Sequence, residues 1–102
     1  MERYILDENG KPIEEPDLIA WGRWLKSNSL QRRVACDQIG DVKVSTVFLG
    51  LNHAFGEGPP VLWETLVFGG PRDGDGDRYT SREDAEAGHR RFVKLVTEGT
   101  ES

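Results

Sequence analysis

Between Ile39 and Val42 the chain has only two residues, Gly40 and Asp41, and both flanks are rich in β-formers: Arg32 to Ile39 before, Val42 to Leu51 after. Two residues cannot make a crossover, so these runs must be antiparallel neighbours, and a glycine suits the type II′ or I′ turn that such a loop requires. In the second run Val42, Val44, Thr46 and Phe48 share one face while Lys43, Ser45, Val47 and Leu49 share the other. The pattern starts half-exposed and ends in Val47-Phe48-Leu49, which predicts cover on both sides and a central strand. Val61 to Phe68 reads as a third strand, reached through the glycine- and proline-rich loop Asn52 to Pro60. Gly69-Gly70-Pro71 ends it, and Arg72 to Arg78 reads as a second polar loop.

Helices are predicted on either side of this meander. Pro16 and Asp17 open the first, where proline gives up no hydrogen bond and an acid suits the positive end of the dipole. At 100° per residue, Leu18, Trp21, Trp24 and Leu25 fall within an arc of about 120°. The second helix begins at Thr80 or Ser81, each three residues ahead of an acid (Glu83, Asp84) at capping-box spacing. Its inward stripe is Ala85, His89, Phe92 and Val96; its acids precede its Arg90, Arg91 and Lys94, in the order the macrodipole favours. Upstream, Tyr4-Ile5-Leu6 and Lys11-Pro12-Ile13 flank Asn9-Gly10 as a short hairpin. The expectation is an α+β fold: a three-stranded antiparallel meander plus an N-terminal hairpin, with two helices on one face. Trp21, Trp24, Phe92 and Val96 should meet over the sheet. Residues 1–96 form one domain in this reading, and 97–102 a flexible tail.

With 102 residues there is room for one hydrophobic core, to which three Trp and four Phe contribute large side chains. Thirteen basic against eighteen acidic residues leave a net charge of −5, with no basic stripe, so direct nucleic-acid binding is not expected. Cys36 is the only cysteine, which excludes an internal disulfide and a cysteine-based zinc site within one chain. The N-terminus lacks the apolar core of a signal peptide, and no run approaches the ~20 apolar residues of a membrane span, so a cytoplasmic location is expected.

Chemistry has few footholds. Asp73, Asp75, Asp77 and Asp84 match four ligand positions of a calcium-binding EF-hand loop, but Arg78 takes the place of the turn glycine and a strand precedes the loop. Tight calcium binding is not expected, and neither is any other metal or cofactor. No nucleophile elbow, zinc-protease motif or phosphate loop is present. His53 sits in a loop just after the central strand, while His89 is the one polar residue on a buried stripe. Those two with Glu64 are the residues a small hydrolase or metal enzyme would use. The other reading makes His89 a hydrogen-bonded core residue and His53 a loop-structuring one.

The segments Arg33-Val34-Ala35, Val44 to His53, Glu64 to Gly70 and Glu86-Ala87-Gly88-His89 resemble a group of short, uncharacterised proteins of tailed bacteriophages and prophages. The likeness covers Tyr4 to Val96. It implies a phage accessory protein made inside a bacterial cell and acting by stoichiometric binding to a host or phage protein, host-defence proteins included; a virion or assembly role is the third reading. The binding surface is expected on loops at one end of the sheet, at Asn52, His53, Phe55, Arg72 and Tyr79. Oligomeric state is left open.

Overall fold

The computed structural model describes residues 2–54 and 56–101. Gly40 has φ +60° and Asp41 a negative φ, so the central turn is of the II′ type. It joins β3 (Arg33–Ile39) to β4 (Val42–Phe48), with Ile39 directly opposite Val42. β5 (Trp63–Phe68) pairs with β4 along its length. A fourth strand, β6 (Gly76–Tyr79), then pairs with β5, giving an antiparallel sheet of order β3-β4-β5-β6. The class is α+β, as expected, but the meander has four strands, not three. Gly-Asp-Arg-Tyr buries only its tyrosine, so no apolar alternation marks β6 and its sequence reads as loop.

The N-terminal hairpin is a separate two-stranded sheet, β1 (Tyr4–Leu6) and β2 (Pro12–Glu14). The Asp7 side chain accepts from the backbone N–H groups of Asn9 and Lys11 and holds its loop. α1 (Leu18–Ser27) is capped by Asp17, whose carboxylate accepts from Ile19 and Ala20; Pro16 stands just outside rather than in the first turn. A short α2 (Ser29–Arg32) follows, unanticipated in four residues of mixed character. α3 (Arg82–Glu101) has Ser81, not Thr80, as its cap: Ser81 Oγ accepts from Asp84 N. The helix continues five residues beyond Val96.

One face of the sheet is covered. α3 lies along it antiparallel to β4, with Ala85 toward Phe48 and Phe92 and Val96 against Val42, Val44 and Val67. α1 reaches the same face at the far end, where Trp24 meets Phe48 edge-on at 6.0 Å and Phe48 meets Trp63 at 5.4 Å. The expected meeting of Trp21 and Trp24 with Phe92 and Val96 does not occur. The core is two apolar clusters: Leu6, Phe48, Leu62, Trp63, Tyr79 and Ala85 in one, Val42, Val44, Val67, Phe92 and Val96 in the other. Trp21 instead donates its indole N–H to Gly50 O at 3.0 Å, tying α1 to the chain beyond β4. Leu18 lies on the predicted stripe yet is 59% exposed: the stripe sets a direction, but that first turn stays largely open to solvent.

Candidate functional site

Polar residues fill the gap between the two clusters. Thr46 on β4 and Thr65 on β5 are directly opposite, both fully buried, and His89 on α3 is 4% exposed. His89 Nε2 is 2.7 Å from Asp37 Oδ2, its Nδ1 is 2.7 Å from Thr46 Oγ1, and the two threonine hydroxyls are 2.5 Å apart. Tyr79 donates its O–H to Thr65 Oγ1 at 3.0 Å. Donor counting orients the whole chain. A carboxylate only accepts, so Nε2 carries the hydrogen. In the single-proton tautomer Nδ1 then accepts from Thr46, Thr46 accepts from Thr65, and Thr65 accepts from Tyr79. Every hydroxyl donates once, and the row ends on Asp37, the one member whose side chain is half exposed.

Carboxylate, imidazole and hydroxyl in series form the order of a nucleophile triad. Here the hydroxyl at the nucleophile's place is fully buried and hydrogen-bonded to a second buried hydroxyl, so no substrate atom can approach it. The series is a satisfied polar layer crossing all four strands. Gly88 lets it close at the Tyr79 end, because a Cβ there would overlap both the Tyr79 ring and its hydroxyl. Burial pushes the Tyr79 phenol above its ordinary range.

The other singled-out residues are dispersed. Glu64 faces the opposite side of the sheet and accepts from Arg78 Nε at 2.8 Å. His53 lies in the loop after β4, its N–H donating to Val61 O at 2.9 Å. Asn52 Oδ1 accepts from both Ala54 N and Val61 N, so this asparagine pins the loop's two ends. His53, His89 and Glu64 therefore do not form a common site, and among the described residues no three His, Cys, Asp or Glu side chains converge. Asp73 accepts from Gly69 N, Asp75 pairs with Arg72, and Asp77 pairs with Arg91, each carboxylate turned to a different partner. The loops do not share one end of the sheet: the β4–β5 loop with Asn52 and His53 is at one end, the β5–β6 turn with Arg72 at the other. Tyr79 is a buried strand residue, not a loop residue. Phe55 lies outside the described residues. A groove of about 610 Å³ between the β1–β2 turn, α2 and the start of α3 is lined by Leu6, Trp24, Leu30, Arg33 and Arg82 among others, with no imidazole, thiol or hydroxyl on its walls.

What remains is the second face of the sheet, opposite α3. Alternation and register place Arg33, Cys36 and Gln38 of β3, Lys43, Ser45 and Val47 of β4, Glu64, Leu66 and Phe68 of β5, and Arg78 of β6 on it. Val47, Ser45 and Leu66 are half-buried by their neighbours; Cys36, Lys43, Phe68 and Arg78 are exposed. Phe68 is 45% exposed and Lys43 Nζ sits 5.0 Å from its ring centroid. Sequence reading missed this surface because it sought function in loops, although the alternation of β4 already separated the two faces. No family model matches the chain, no curated protein matches it, and no solved structure matches it.

Proposed function

We propose that this chain is a non-enzymatic binding module that acts by stoichiometric contact with another protein. The observation that carries the reading is the sheet's asymmetry: one face is sealed by α3 over a fully satisfied polar layer, while the other carries Val47, Leu66 and Phe68 with no helix of the described residues across it. An antiparallel sheet is commonly solvated on one side, and that side is then polar. Here it holds an exposed phenylalanine at the edge of a half-buried aliphatic pair. The acid–base alternative loses its support, since His53, His89 and Glu64 belong to three separate surroundings.

In this proposal the protein is a phage accessory factor working in the bacterial cytoplasm, its target a host or phage protein, host defence included. No helix of the described residues is long and apolar enough to cross a membrane. The test is affinity capture from infected host lysate with the wild-type chain and with Phe68→Asp. A partner retained near one-to-one by the wild type and lost with the variant is expected. Capture free of any stoichiometric partner would sink the reading.

A further inference from the structure

The open face differs in charge from the rest of the molecule. It carries Lys43 and Arg78, with Arg33 at its β3 edge where the α2 groove begins, against one carboxylate, Glu64, in a chain whose net charge is −5. Glu64 is already engaged by Arg78, and its side chain is only 15% exposed, so it offers little to a partner. Arg33 and Lys43 have no carboxylate opposite them in the ladder: their cross-strand neighbours are Val47 for Arg33, and Gln38 and Phe68 for Lys43. The cations stand around the apolar row of Val47, Leu66 and Phe68. Apolar centre and cationic rim are the two halves of a recognition surface, the centre for burial and the rim for register and steering.

We infer that this face binds an acidic amphipathic segment of a partner protein, a helix with leucine- or phenylalanine-type side chains on one side and Asp or Glu on its flanks. The inference rests on the protein-binding reading above and names its surface and its partner chemistry. Charge complementarity selects this occupant. A second copy of this chain would bring the same cationic face to a symmetric contact, and like charges would meet across it. A single strand of nucleic acid would satisfy the cations, but successive bases need several aromatic platforms, and among the described residues this face has one, Phe68. A helix about 10 Å across fits within a sheet whose four strands lie about 4.8 Å apart.

Cys36 makes the test direct, being the only cysteine and exposed on this same face. A random 16-residue peptide library would be panned on the intact protein, and enriched peptides measured for affinity and for protection of the Cys36 thiol against a disulfide reagent. Enriched peptides with acids flanking apolar residues at helical spacing are expected. They should slow the thiol reaction severalfold and weaken as salt rises. Lys43→Glu should weaken them about tenfold, and Phe68→Ser likewise. Both positions are exposed, so both variants should keep the wild-type melting profile. No enrichment, enrichment of peptides lacking acids, or binding that leaves Cys36 reactivity unchanged overturns the inference. So does tighter binding of oligo-dT, competing at Cys36. If a captured lysate partner is retained by Lys43→Glu and Phe68→Ser alike, the surface is wrong while the protein-binding reading stands.

Discussion

His89 shows how much one side chain can hold. Its ring joins β3 to β4 through Asp37 and Thr46, and lies where the two apolar clusters would otherwise leave buried hydroxyls without an acceptor. His89→Ala removes the ring contacts and strands Thr46, at a cost of about 2–4 kcal/mol in urea melts. His53→Ala alters a half-buried loop side chain and should cost less, within about 1.5 kcal/mol. A stabilised His89→Ala protein would defeat the structural role. The donor order is itself observable: long-range ¹⁵N correlation spectra at neutral pH should show His89 with hydrogen on Nε2 and a bare Nδ1. The opposite tautomer would mean the row runs the other way. Gly88 supplies a sharper case. Gly88→Ala forces the Tyr79 ring to move, and Tyr79→Phe in the same chain brings no relief, because the ring carbons are as much in the way as the oxygen. Partial recovery of the melting temperature in that double mutant would show that only the hydroxyl collides.

At the level of elements, legibility in the sequence follows how local the determining interactions are. The two-residue hairpin turn at Gly40-Asp41, the helix start at Asp17 and the α3 stripe Ala85-His89-Phe92-Val96 are all readable, because each depends on residues within a few positions. Ser81→Ala and Asp17→Ala should each cost about 1 kcal/mol in stability, read by thermal melts. Thr80→Ala, at the rival capping position, should cost less than Ser81→Ala, and equal losses would count against the assignment. What escaped was decided by partners distant in sequence. β6 is an edge strand recognised by β5, and its other residues are exposed. Trp21 fell on the inward arc for an apolar reason, yet its indole N–H is used by Gly50, twenty-nine residues away. The candidate site divides in the same way. The core role of His89 was visible from its place on a buried stripe. Its partners Asp37, Thr46, Thr65 and Tyr79 come from four strands whose pairing no local spacing reveals.

For the molecule as a whole, the buried phenol ties global stability to alkaline pH. Tyr79 is 8% exposed, and its phenol is raised above the ordinary value near 10 chiefly by desolvation, with Asp77 adding to the shift while Thr65 and Arg91 oppose it. Tyr4 is raised as well, by burial first and then by Glu2. In the unfolded chain both phenols ionise near their ordinary value. Below that pH both states hold the proton and the folded form keeps its full advantage. Above it the unfolded chain releases a proton that the folded chain retains, so the unfolded state binds fewer protons and stability falls as pH rises. The loss begins near pH 10 and continues up to the raised folded value, at no more than about 1.4 kcal/mol per pH unit for the buried Tyr79 and much less for Tyr4, whose hydroxyl is exposed and screened by water. Tyr79→Phe removes the titrating group but also the donor to Thr65, so it should be less stable than wild type at pH 7 by about 1 kcal/mol. Its stability should then decline more gently above pH 10, and the gap between the two proteins should narrow. Urea melts at pH 7, 9, 10 and 11 measure both curves on the same background of lysine titration. Curves that stay parallel across that range would show that Tyr79 ionises as freely in the folded protein as in the unfolded chain, and that the Thr65 end of the polar row is open to water.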